Sequence, residues 1–330
     1  MAKFNKYVEI GEPAPIFAGA EAGMLKVADK YNNVILIHED IGSLGTDWFK
    51  KNAPSRIVEC GIAEANASVI AAGFAAEGYT PYILGFTFAV IGRAYNQLRQ
   101  SILVDHFNVK ILGREMWGEM GVSHNVVEGI GSLRVLPNLV IICPSDIVEA
   151  EKAFVAMGDY VGPVFYRMES QVPPRIFTDD YPFEIGKAYT IKDGEDATII
   201  ATGYMVSESI KAIDILEKKG LDVGIINMST LKPLDEEAII KAAKKTGAIV
   251  TAENGSIIGG LGEGVAAVLA ENVSASLVRI GIDDEFSQSA RVIGASKDDL
   301  MIHHGLTDHD LAEAVKRCII KRDKLKLPRK

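Results

Sequence analysis

An acid stands at the head of an alanine-rich stretch. Glu64 is followed by Asn66, and Ala63, Ala65, Ala67, Ala71, Ala72, Ala75 and Ala76 surround them within residues 61–78. Small side chains on all sides let other backbones approach closely, and a helix apolar all round is expected to be buried. A carboxylate in the first turn is favoured by free N–H groups and the helix dipole. Two roles suit it: a plain first-turn acid, or an acid–base group whose burial lifts its carboxyl toward neutral pH. A second constellation is Gly118-Glu119-Met120-Gly121-Val122-Ser123-His124-Asn125. It follows a strand-like run, which puts it at the C-terminal edge of a sheet, where open α/β folds bind ligands. His124 is then either an exposed loop histidine or an acid–base or anion-contacting imidazole. Its flanking glycines form neither a P-loop nor GxGxxG, and Gly259-Gly260-Leu261-Gly262 likewise lacks dinucleotide spacing. His303, His304 and His309 have no metal-ligand spacing and read as surface residues. Cys60, Cys143 and Cys318 form no CxxC pair, so neither a zinc site nor a disulfide frame is expected, and a reducing compartment is.

The elements that must position these groups alternate between strand and helix, which predicts an α/β fold with mainly parallel sheets flanked by helices. Helices are predicted at 16–30, 61–77, 89–103 and 146–157, with strands at 33–38, 81–84, 108–112, 138–143 and 163–167. The stretch 171–194, with Val172-Pro173-Pro174-Arg175 and Tyr181-Pro182-Phe183, breaks periodicity and reads as a linker or crossing segment. A second series follows, with strands at 197–201, 223–228, 248–252 and 276–280 and helices at 206–219, 235–245, 261–271 and 308–320. Two α/β domains, 1–185 and 186–330, are the expected organisation. The 330 residues, 48% hydrophobic and 24% charged, suffice for a large core, and a formal charge of −9 argues against a general nucleic-acid binder. No apolar run approaches the ~18 residues of a membrane span, and no secretory signal is visible, so a cytoplasmic protein is expected.

The run Arg56-Ile57-Val58-Glu59-Cys60-Gly61-Ile62-Ala63-Glu64-Ala65-Asn66 resembles the R…GIAE-x-N segment of the transketolase family of thiamine-diphosphate enzymes. Ala71–Gly78, Gly92-Arg93-Ala94-Tyr95-Asn96-Gln97, the loop 118–124 and Ser132-Leu133-Arg134-Val135-Leu136-Pro137-Asn138 are similar to that family's motifs, in order. So are Glu253-Asn254 with Gly259-Gly260-Leu261-Gly262, and His304-Gly305-Leu306-Thr307. The G-D-G…N motif that binds diphosphate and Mg²⁺ in that family's N-terminal domain has no counterpart here. The resemblance therefore implies the C-terminal subunit of a split transketolase: a pyrimidine-binding plus a C-terminal domain. Thiamine diphosphate would be the cofactor. An N-terminal partner subunit would hold most of the diphosphate and Mg²⁺ site, in a dimer of heterodimers.

The resemblance also assigns roles. Glu64 corresponds to the glutamate that hydrogen-bonds N1′ of the aminopyrimidine and promotes ylid formation. Phe88 and Phe86 are the candidates for stacking on that ring, with Phe88 favoured. His124 corresponds to the histidine that contacts the donor sugar. Arg167 lies where the family has an arginine for substrate phosphate; an ion pair with Glu169 or another acid suits it equally. Two departures bear on the donor. Met120 stands where the family has an Asp that binds a donor hydroxyl, and Gly113-Arg114-Glu115-Met116-Trp117 is short and lacks a substrate-binding His. Arg114 is a candidate for binding a different anionic group there. The activity implied is transfer of a two-carbon ketol unit from a ketose to an aldehyde. The alternatives are a 2-oxo-acid dehydrogenase E1 β-like subunit, a 1-deoxyxylulose-phosphate-synthase-like subunit, or a non-catalytic regulatory homologue.

Overall fold

The computed structural model describes residues 3–42, 44–118, 121–286 and 296–325. Among these the first half folds on strands β1 (Val34–His38), β2 (Ile57–Glu59), β3 (Thr80–Phe86), β4 (Lys110–Arg114), β5 (Val140–Ile142) and β6 (Val164–Met168). All pair in parallel, in the order β5-β6-β4-β3-β1-β2. The residues of β1, β4, β5 and β6 are almost entirely buried, as continuous apolar runs must be when helices cover both faces of a parallel sheet. Helix Ile16–Lys30 packs on Ile147–Asp159 so closely that a Cβ at Gly19 or Gly23 would strike the facing helix.

The second half is built on β7 (Tyr189–Lys192), β8 (Ala197–Ala201), β9 (Val223–Asn227), β10 (Thr230–Lys232), β11 (Ala248–Ser256) and β12 (Ser276–Ile282). Its sheet runs β12-β11-β8-β9-β7, parallel except for β7. The short strand β10 leaves this sheet and adds antiparallel to β5 at the edge of the first one, Thr230 facing Ile142. The Arg134 guanidinium donates to the Gly259 and Gly260 carbonyls at 2.8 and 2.5 Å. One apolar cluster contains Ile141 and Phe165 from the first sheet with Ile200, Ile226 and Ile249 from the second. The halves are thus welded rather than hinged.

Two local expectations are corrected. A single helix over 89–103 does not form: Thr87–Gly92 ends, Tyr95–Gln97 follows, and Leu98–Leu103 is a wide turn. Gly92 at the break is a weak helix former, and the Val104 N–H reaches the Arg99 carbonyl five residues back. The alanine-rich helix, Glu64–Ala76, is not buried on every side. Glu64, Ala67, Ser68, Ala71 and Ala72 face the core, while Val69 is 50% exposed and Ile62, just before the helix, 70%.

Candidate active site

The carboxyl ends of β1, β2, β3 and β4 converge on one edge of the first sheet, and nearly all the chemistry identified above lies there. The backbone turns from β2 into the Glu64 helix through Gly61, whose φ of 62° is left-handed and suits glycine. The Glu59 carboxylate fixes that turn. Its Oε1 accepts from the Gly61 and Asp40 N–H groups at 2.8 and 2.9 Å, and its Oε2 stands 2.8 Å from His38 Nδ1. Burial opposes the charge on Glu59, but the two backbone donors and His38 outweigh it and hold the carboxyl below its usual range.

Glu64 opens the helix with its side chain turned inward; the residue is 6% exposed. Arg93, just past the end of Thr87–Gly92, reaches back so that Nη1 lies 3.0 Å from Glu64 Oε1. Arg93 itself is exposed. The break in the expected helix leaves Arg93 at this point of the chain.

A second carboxylate, Glu39, follows β1 directly and is buried. Its Oε2 sits where a Cβ on Gly85 would be, 2.5 Å from that ideal position, so only glycine at the end of β3 leaves it room. Its Oε1 is buried with no hydrogen-bond partner. Burial first, and then the charge of Glu64, push the Glu39 carboxyl up to about 8, with Arg93 pulling the other way. Sequence reasoning missed both Glu39 and Arg93. The first looked like the end of an apolar strand, the second like one of several polar positions on a continuous helix.

Phe86 and Phe88 flank the first residue of Thr87–Gly92 and are half-buried. Their rings stack at 5.8 Å between centroids, and the His124 ring packs edge-on against both, 5.2 Å from Phe86 and 4.7 Å from Phe88. His124 Nδ1 lies 3.0 Å from Ser123 Oγ. Glu64, through Arg93, and the aromatic trio are therefore borne at opposite ends of one short helix. Met120 and Glu119 lie outside the described residues.

Arg114 ends β4, half-buried, with its guanidinium 5.4 Å from the Phe17 ring centroid. Arg167 is different. It is 2% exposed, with Nη2 2.5 Å from Glu115 Oε2 and Nη1 2.8 Å from Glu169 Oε1. It also donates to the Asn254 side chain and backbone carbonyl at 3.1 and 3.0 Å. Of its two sequence readings the structure displays the ion pair, with both outer nitrogens engaged in a link from β6 to β11. The C-terminal histidines also differ from expectation: the His304 side chain is 1% exposed, its Nδ1 3.1 Å from Glu285 Oε1 and its ring against Trp117.

The site fits the aminopyrimidine half of thiamine diphosphate. A buried carboxylate is available for a ring nitrogen, half-buried phenyl rings for a flat heterocycle, and a buried carboxyl oxygen beside them lacks a partner.

Comparison with known proteins agrees with the geometry. Residues 16–173 match the family described as "Transketolase, pyrimidine binding domain" and residues 186–307 the one described as "Transketolase, C-terminal domain". The chain is 37% identical over 299 residues to a Methanocaldococcus jannaschii protein named "Putative transketolase C-terminal section", covering 88% of this chain and 92% of that protein. It is 35% identical over 288 residues to one of the subunits of an apulose-4-phosphate transketolase from Phocaeicola vulgatus, covering 86% and 90%. Among solved structures it superposes on a split-gene transketolase described as an inactive β4 tetramer, with a TM-score of 0.86, 32% identity and 94% and 99% of the two chains covered. With both domain types in sequence and these relatives matched nearly end to end, the chain belongs to the transketolase family.

Proposed function

We propose that this chain is the C-terminal subunit of a thiamine-diphosphate-dependent transketolase, working with an N-terminal subunit to move a two-carbon ketol unit from a ketose to an aldehyde. The observation that carries the reading is Glu64: a carboxylate buried at a helix start, on the same sheet edge as Phe86, Phe88 and His124. When bound, thiamine diphosphate supplies a carbanion equivalent that can add to and release a carbonyl carbon. Residues 1–185 provide the pyrimidine site and 186–330 the second domain braced against it.

Glu64 hydrogen-bonds the N1′ position and exchanges a proton there. Phe88 stacks on the heterocycle, with Phe86 packed behind it. His124, held against both rings, meets the oxygens of the donor sugar, and Arg114 at the end of β4 is the cation available for an anionic substituent. Arg167 is engaged with Glu115, Glu169 and Asn254 and has no part in substrate binding. The partner holds the diphosphate and Mg²⁺. It covers the face where Ile62 and Val69 are exposed beside Glu64, an arrangement uncommon on a surface that stays in water. A dimer of such heterodimers is the proposed assembly.

Reconstitution tests this. The chain mixed with the N-terminal subunit, Mg²⁺ and thiamine diphosphate should transfer a two-carbon unit between sugars, and either subunit alone should not. Full activity of either subunit alone contradicts the reading.

A further inference from the structure

We propose that Glu39 is a positioning residue for Glu64: it holds a proton in the site at neutral pH and so keeps this pair of buried carboxylates at a single negative charge. The inference rests on reading Glu64 as the group that meets the aminopyrimidine. It stands first on geometry. Glu39 and Glu64 come from the carboxyl ends of β1 and β2, adjacent in the sheet, and both are buried. The Glu39 carboxyl is seated over the Gly85 backbone, which has no side chain to displace it, and its Oε1 has no donor. An ionised carboxylate in that place would leave a buried negative oxygen unsatisfied, whereas a protonated one carries its own donor hydrogen.

The groups that face Glu39 agree. Glu64, from its helix, opposes ionisation, and Arg93, from the end of Thr87–Gly92, favours it. Cys60, after β2, responds in turn: burial first, and then the charges of Glu39 and Glu59, push its thiol up. The single cation among these, Arg93, is ion-paired to Glu64 through a side chain 59% exposed, where water screens much of its field. Two carboxylates so placed do not both ionise readily. A proton retained on Glu39 lets Glu64 act as the anion of the pair, able to receive the N1′ proton and return it without a second charge beside it.

Covering the site with the heterocycle removes more water from Glu39 and strengthens its hold on the proton. The reconstituted enzyme should therefore take up protons when thiamine diphosphate binds in the pH range where Glu39 titrates. The experiment is calorimetric titration of thiamine diphosphate into the two-subunit complex, in buffers of different ionisation enthalpy, from pH 7 to 9.5. Wild type should take up on the order of half a proton near pH 8.5. Glu39→Gln should bind the cofactor with less than about a quarter of that uptake. Glu39→Met, similar in length and also without a proton, serves if the amide disturbs assembly. Glu64→Gln removes the charge that opposes Glu39, so its uptake should centre at lower pH. Uptake in Glu39→Gln or Glu39→Met equal to wild type overturns the proposal, as does an unmoved window in Glu64→Gln. Failure of wild type to bind the cofactor at any pH overturns the proposed function itself, and this inference with it.

Discussion

Arg93 Nη1 and Glu64 Oε1 are 3.0 Å apart, yet the arginine side chain is 59% exposed and the glutamate side chain 7%. A solvent-held cation thus lies across the mouth of a buried acid. The pair is weak, because water competes for the guanidinium, so Arg93 can leave Glu64 at little cost when a heterocycle arrives.

Arg93→Ala should therefore be mild. We expect turnover to fall by less than about tenfold, consistent with an exposed pair worth about 1 kcal/mol or less. Steady-state rates of the reconstituted enzyme at saturating cofactor check it; a loss of a thousandfold would show Arg93 to be part of the catalytic machinery.

The aromatic trio can be dissected. Phe88→Ala should raise the Kd for thiamine diphosphate by about tenfold, the loss of one ring-stacking contact, and Phe86→Ala, one ring further back, by less. Fluorescence or calorimetric titration of each variant complex measures this. A larger effect at Phe86 reverses the assignment of the stacking ring.

Arg167 joins β6 to β11 through Glu115, Glu169 and Asn254. Arg167→Ala strands two buried carboxylates, which costs about 3–5 kcal/mol. The urea midpoint of the chain should fall accordingly, and Arg167→Met combined with Glu115→Gln and Glu169→Gln should recover much of the loss. If Arg167→Ala instead leaves stability intact and raises KM for a phosphorylated donor, the arginine serves substrate.

Glu39 gives a pH-dependent stability. Folded Glu39 keeps its proton up to about 8, against an ordinary value of 4.5, so the folded chain binds one more proton than the unfolded chain between these values. Stability contributed here falls as pH rises through that window and is fully lost above it. Glu39→Gln cannot ionise. Its melting temperature should exceed that of wild type by several degrees at pH 9, on the order of 1–3 kcal/mol, with the difference shrinking toward pH 5. A constant difference across that range contradicts a protonated Glu39.

Much of the fold was legible because strong periodicity and short links leave few choices: the helix at 16–30 and the strand at 197–201 occur with those bounds. Glu64 and His124 were legible because composition set them apart. Other features were not, for physical reasons. The strand Thr230–Lys232 is only three residues long and exists through its pairing with β5, a tertiary contact that local pattern does not encode. Glu39 follows an apolar strand, and its burial depends on Gly85 from another one. The role of Arg167 depends on Asn254, 87 residues away. Positions whose meaning comes from a distant partner are those where sequence reading failed.

The most direct test of the account is Glu64→Gln in the complex with the N-terminal subunit. The change keeps side-chain size and one hydrogen bond but removes the proton exchange. We expect thiamine diphosphate to bind within about tenfold of wild type while turnover falls by about 10²–10⁴-fold, the range for loss of an acid–base group. Turnover close to wild type, with the cofactor bound, would contradict the assignment of Glu64 and the reading of the site built on it.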